Sequence, residues 1–401
     1  NTTQLFQVNG GEELTLRGLT LTLGFSSGDG GAIANNGTLT VEDCAIQNSN
    51  AAGSGGAIVS YGPLTIRNSM LTGNRAANGG AVYLRWPAAA TTIVESGLID
   101  NHATGTDGWG GAILPWDGAN VTVEGGTIAG NSARMGGGIH NRFDNSTVTL
   151  RGVDVIGNRA TATTLTSSII GGGIYNGPGT LIVEDSQIGD NDAAWTGGGI
   201  YNTGTMAFSN SLFAGNTALA DGGAMSNAGD ATVKGALFRG NSSTSGSSVS
   251  NWKELLVQNS TFSGNTVREK AVFINYGAAS LQNATFGDNR DETGQSGAAQ
   301  ILQESQQPLR LKNVALKVFE GGFGGVNCSA SNGSGDAPIT SDGFNMSDDL
   351  SCTTFFTGPG DRNNTPIKLG PLTDSGGATM THLPLGGSPL IDGGQCIAGL
   401  T

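Results

Sequence analysis

Short runs in which apolar and polar residues alternate recur along the whole chain, as in Leu39-Thr-Val41 and Val148-Thr-Leu150. A period of two is that of a half-buried β-strand, and no stretch carries the period of a helix. Each run closes on an apolar residue, with a second apolar residue five positions later and an asparagine eight positions later. Ile66/Leu71/Asn74 and Val123/Ile128/Asn131 are examples. A second landmark, a Gly-Gly-Ala-Ile-like tetrapeptide, starts at Gly30, Gly55, Gly79, Gly110, Gly136, Gly171, Gly197 and Gly222, with a degraded copy at Gly246. The glycine landmark advances by 24 to 26 residues, apart from steps of 31 after Gly79 and 35 after Gly136, and the asparagine landmark advances together with it. A fixed period of this length marks a solenoid. Three short strands per turn, the third a separate inward wall through residues such as Ile128 or Phe213, predict an all-β fold, a right-handed parallel β-helix of about twelve coils over residues 1–319. A β-propeller needs about 40–50 residues per blade and does not fit.

Stacked coils turn sequence columns into lines of contact, because strands in a sheet are about 4.8 Å apart. The apolar column ends in Phe213, Phe238, Phe262 and Phe286, a predicted ring stack. The asparagine column, including Asn216, Asn241, Asn265 and Asn289, predicts an amide ladder at a turn. A second asparagine column follows the glycine pairs at Asn35, Asn141, Asn176, Asn202, Asn227 and Asn251. Directly after the strand end, signs alternate through Arg17, Glu42, Arg67 and through Glu124, Arg151, Glu184, as cross-strand pairing on an exposed face requires. Two insertions, Arg85–Thr92 and Arg159–Ile170, interrupt the period. Loops added to one face of a solenoid are where binding sites arise.

Composition explains the turns and excludes several functions. Of 401 residues 68 are Gly and only 11 are Pro, against collagen and against helical folds. Net charge is −13 and no basic stripe is present, which argues against nucleic acid as a partner. No run of about 18 apolar residues is present to span a membrane. Four cysteines permit three pairings. In an extracellular setting a Cys328–Cys352 bridge persists, Cys44 falls in a column of small core residues, and the pairing of Cys396 stays open.

Candidate chemistry is sparse. Polysaccharide hydrolysis needs converging carboxylates, whereas Asp100, Asp190 and Asp288 are single turn residues beside Asn. Of the three histidines, only His140 falls on a predicted strand, beside Arg142 and Asp144. This trio is the best catalytic candidate, against the plainer reading of a surface histidine. No metal-ligand spacing occurs, no cofactor is implied, and Asp342 and Asp348-Asp349 are calcium candidates without a supporting motif. Trp86 and Trp116 follow glycine strands, and Trp109 and Trp195 precede glycine pairs. Such indoles stack sugars or dock a partner, or else cover loop ends.

After about Glu320 the repeat gives way to an irregular Gly/Asn/Ser-rich segment, 320–401, predicted to cap the last coils. The paired Gly-Gly-Ala-Ile and Phe-x-x-Asn landmarks resemble the repeats of polymorphic outer membrane proteins, chlamydial surface adhesins. The tail, through Asn327-Cys328, Cys352, Leu369–Leu372, Asp374–Gly377 and Ser388–Asp392, is similar to the choice-of-anchor Q region of bacterial surface proteins. The resemblance implies export and a surface or matrix location, and it carries no catalytic residues. Neither a β-barrel translocator nor an anchor is read here, which leaves the attachment open. The expectation is therefore a non-enzymatic, extracellular structural or adhesive protein associating end to end into filaments, with a host or matrix glycan or protein as partner. The alternative is a polysaccharide-binding or polysaccharide-cleaving β-helix.

Overall fold

The computed structural model describes residues 3–85, 90–161, 170–292, 298–319, 325–330 and 339–397. Among these there is no α-helix, and nothing helical is long and apolar enough to cross a membrane. The chain is a parallel β-solenoid of about twelve turns. It divides into two compact units, Asn1–Ala207 and Phe208–Thr401.

In the first unit the Gly-Gly tetrapeptides lead into one wall, the glycine wall. Its successive strands include Ile58–Ser60, Val82–Arg85, Ile113–Trp116, Ile139–Asn141, Ile174–Asn176 and Ile200–Asn202. The second unit has its own set, from Met225–Asn227 to Val326–Ala330. The first glycine of each pair turns the chain in the left-handed region, as at Gly136 with φ 63°. The second has no room for a side chain: a Cβ on Gly137 would lie 2.2 Å from the Gly172 carbonyl oxygen of the next coil.

The alternating runs form a long wall, and here the structure corrects the three-strand reading. Leu64–Arg67 pairs in parallel with Thr38–Glu42 and Thr91–Val94. A left-handed Asn68 (φ 45°) then bends the chain into Met70–Thr72, which pairs within the same sheet. The apolar residue five positions on thus belongs to a continuation of this wall. The third sheet is built instead from two-residue strands after the ladder asparagine, such as Arg75–Ala76 against His102–Ala103. These pairs are too short to leave a period in the sequence.

The predicted columns are lines of contact. Phe213 pairs with Phe238, Phe238 with Phe262 and Phe262 with Phe286. Their centroids lie 4.9, 4.5 and 4.3 Å apart with planes within 9°. In the first unit Asn101 shows the ladder rule. Its Oδ1 accepts from the backbone N–H and the side-chain amide of Asn74, while its Nδ2 donates to Leu71 O and Asn131 Oδ1. Asn216, Asn241, Asn265 and Asn289 repeat the arrangement in the second unit. The second asparagine column is likewise bonded, Asn141 to Asn176 to Asn202 and Asn227 to Asn251 to Asn275. Asp100, Asp190 and Asp288 hold left-handed turns at φ 53°, 52° and 54°, a conformation that Asp tolerates. The charge column pairs Arg17 with Glu42 at 3.4 Å and Arg151 with Glu184 at 2.9 Å.

Parallel pairing continues beyond 319, where the repeat fades in the sequence. Val326–Ala330, Ile339–Ser341 and Met346–Ser347 add a further turn. The Cys328–Cys352 disulfide ties this turn to the tail. The tail then forms an antiparallel hairpin, Leu369–Thr373 with Thr381–Pro384. This hairpin reaches back along the long wall of the second unit. Thr379 donates to Gly235 O, Thr381 bonds Thr261, and His382 bonds Ser263 Oγ at 2.9 Å and Gly370 O at 2.7 Å. His102 and His382 both lie on strands, so His140 is not alone in that.

Candidate functional site

In the first unit the isoleucines of the glycine wall point into the solenoid, so each following residue points out. The registers line up Val59, Tyr83, Leu114, His140, Tyr175 and Tyr201 in consecutive coils. An outward column of this kind would ordinarily be polar. Here Trp109, from the turn before its glycine pair, and Trp116, at the end of its strand, fold over it. Ring centroids run Tyr83–Trp116 at 6.1 Å, Trp116–Trp109 at 5.6 Å, Trp109–His140 at 5.9 Å, His140–Tyr175 at 4.4 Å and Tyr175–Tyr201 at 5.7 Å. Phe143 meets Trp116 edge-on at 4.9 Å.

Arg142 enters this cluster as its cation. Its guanidinium carbon is 3.8 Å from the Trp109 ring centroid and 5.0 Å from that of Trp116. No carboxylate among the described residues pairs with it. Cation–π contact of this kind holds the guanidinium in place without neutralising it.

His140 is not the surface histidine of the plainer sequence reading, for only 1% of it is exposed. Burial, with the Arg142 charge adding to it, pushes its pKa down to about 3, and only a hydrogen bond to the Met135 carbonyl opposes this. Since Nδ1 has no protein partner, Nε2 carries the proton to Met135 and Nδ1 is a bare acceptor. Trp109 Nε1 is a bare donor in the same cluster. Asp144 is exposed and bonds neither neighbour. The structure therefore brings His140 and Arg142 together and leaves Asp144 out. A neutral, deeply buried imidazole does not act as a general acid near pH 7.

Along one edge of the cluster Tyr61 donates to Asp29 Oδ2 at 3.3 Å. Burial pushes the Tyr83 phenol up to about 12, with Arg85 opposing it. Trp86 lies outside the described residues. Trp195 is exposed and makes no ring contact among them. The calcium candidates are occupied by protein groups. Asp342 pairs with Arg310, Asp348 accepts from Val318 N and Asn327 Nδ2, and Asp349 from Ser347 and Ser351. No cluster of three or more metal-ligating side chains occurs among the described residues. Cys44 is buried, accepts from Leu19 N and donates to Glu42 O, taking the place that Ser69 and Ser96 hold in the following coils.

Sequence reasoning missed Tyr83, Tyr175 and Tyr201. Their signal was available: each follows the isoleucine position of the tetrapeptide, a column that Leu114 and His140 interrupt.

The arrangement offers a fixed, partly exposed cation beside flat rings, while the bare His140 Nδ1 and Trp109 Nε1 are themselves buried. A guanidinium held on apolar rings suits a ring-shaped, anionic ligand. No family model, no curated protein and no solved structure matches the chain.

Proposed function

We propose that the protein is a non-enzymatic, extracellular adhesive scaffold that holds an acidic polysaccharide on the outer face of its first unit. The observation that carries this reading is the unpaired Arg142 guanidinium stacked on Trp109 within an aromatic row. A carboxylate on a sugar supplies the counter-charge for Arg142, and C–H faces of the sugar pack on the rings. Coils about 4.8 Å apart repeat on nearly the length scale of a sugar unit, so an extended glycan can meet several rings at once.

Binding rather than cleavage is supported by the buried, neutral state of His140 and by the use of the acids in turns and ion pairs. An extracellular setting is supported by the Cys328–Cys352 disulfide, since such bonds persist in oxidising compartments. Titration calorimetry with hexagalacturonate tests the reading. Binding that Arg142→Gln and Trp116→Ala both weaken is the expected result. Equal binding by both variants, or none by the unmodified protein, would overturn it.

A further inference from the structure

The second unit carries, after its own glycine-wall strands, a group that the repeat does not require. The column after the second asparagine ladder reads Ala228, Trp252, Tyr276, Glu304, one residue per coil. Its register is fixed by backbone bonds from Trp252 N to Asn227 O and from Tyr276 N to Asn251 O, both 2.7 Å, and from Glu304 N to Asn275 O, 2.9 Å. The Trp252 and Tyr276 rings stack with centroids 3.9 Å apart and planes 13° from parallel. Tyr276 thus covers the indole face on its own side. The opposite face is turned toward the coil of Ala228, whose side chain is a methyl group. Trp252 accordingly remains 47% exposed.

The backing of this ring is fixed. Lys270 Nζ donates to Tyr276 Oη at 3.1 Å and to Glu304 at 3.0 Å, and lies 5.6 Å from the Tyr276 centroid. Nearby in the chain Asp230, two residues after Ala228, and Lys253, next after Trp252, form an exposed ion pair, Lys253 Nζ to Asp230 at 2.9 Å.

We propose that the open face of Trp252, with the Asp230–Lys253 pair, is a binding subsite for one pyranose ring of a neutral saccharide. A pyranose presents a C–H face that packs on an indole and hydroxyls that donate to a carboxylate and accept from an ammonium. The gap left where the column carries a methyl is one coil deep, the thickness of one stacked ring. Charge selects against an acidic sugar: Glu254 is in register with Asp230, and Asp221 and Glu304 lie within electrostatic reach of Tyr276, four acids against Lys253 and Lys270. Tyr276, Lys270 and Glu304 are positioning residues that keep the indole flat. The subsite shares no residue with the face of the first unit and stands if the reading above fails.

The test is calorimetry of the full chain with cellohexaose, chitohexaose and hexagalacturonate, up to about 10 mM, where a site of Kd ~1 mM is mostly filled. At least one neutral hexasaccharide should bind. Trp252→Ala should weaken that binding about tenfold or more, and Trp252→Phe less. Ala228→Tyr, which leaves the indole in place but fills the gap, should also abolish it. Neither variant should change hexagalacturonate binding. Failure of both neutral probes to bind, or neutral binding unchanged in Trp252→Ala or Ala228→Tyr, overturns the proposal. Loss of hexagalacturonate binding alone bears on the first unit only.

Discussion

The Arg142 guanidinium carbon lies 3.8 Å above the Trp109 ring, and no described carboxylate neutralises it. Arg142 is only partly buried and has no ion pair among the described residues, so its charge stays available to an incoming anion. Arg142→Gln should weaken hexagalacturonate binding by about tenfold or more and flatten its dependence on salt, since the lost contact is charge-assisted. Arg142→Lys should recover only part of the affinity, because an ammonium lacks the planar fork that stacks and binds bidentately. Calorimetry at two ionic strengths reads both effects. Full recovery by lysine would contradict the stacked geometry.

His140 makes stability depend on pH with a definite sign. Folded, its pKa is pushed down to about 3, while in the unfolded chain it titrates near 6.5. Between these values the unfolded state binds a proton that the folded state does not. Stability is therefore greatest above 6.5 and is lost as the pH falls toward 3. From pH 7 to pH 5.5 the loss from this group is about 1 kcal/mol. His140→Leu, which repeats the Leu114 of the preceding coil, should remove that part of the slope. Urea unfolding at the two pH values measures it, and equal slopes in both proteins would count against the buried neutral imidazole.

The asparagine ladder should tolerate very little. Asn101 is fully buried and serves two neighbours. Asn101→Ala strands the Asn74 backbone N–H and the Leu71 carbonyl, at about 1–3 kcal/mol each. Asn101→Asp keeps the acceptor but loses the donor and buries a charge, so it should cost at least as much. A loss below about 1 kcal/mol for the alanine variant would refute the ladder's role.

Phe262 is stacked between Phe238 and Phe286 and is fully buried. Phe262→Ala should cost about 3–5 kcal/mol, and Phe262→Leu less, since leucine is what Leu71 and Leu98 place in the same column of the first unit. Denaturant unfolding of the two variants reads the difference.

Much of this fold was legible because stacking makes the sequence periodic. Phe213, Phe238, Phe262 and Phe286 touch for the same reason that they recur, and the glycine pairs recur because coil-to-coil approach leaves no space for a Cβ at positions such as Gly137. The third sheet was hidden, since a two-residue strand such as Arg75–Ala76 is too short to show alternation. The candidate site was half legible. Trp109, Trp116, His140 and Arg142 stood out as rare residue types, but their burial did not. Outward positions of a wall are polar by default, and only the folding of Trp109 and Trp116 over the column turns His140 from an exposed group into a buried one. Asp144 is two residues from Arg142 in the chain and takes no part, because the turn after Arg142 leaves it exposed.

The most direct test of binding without turnover is to incubate the protein with polygalacturonate and follow bound polymer, new reducing ends and unsaturated products together. Saturable binding, weakened by Arg142→Gln and Trp116→Ala, with no product formed, is the expected result. Product formation that disappears in His140→Ala would contradict it.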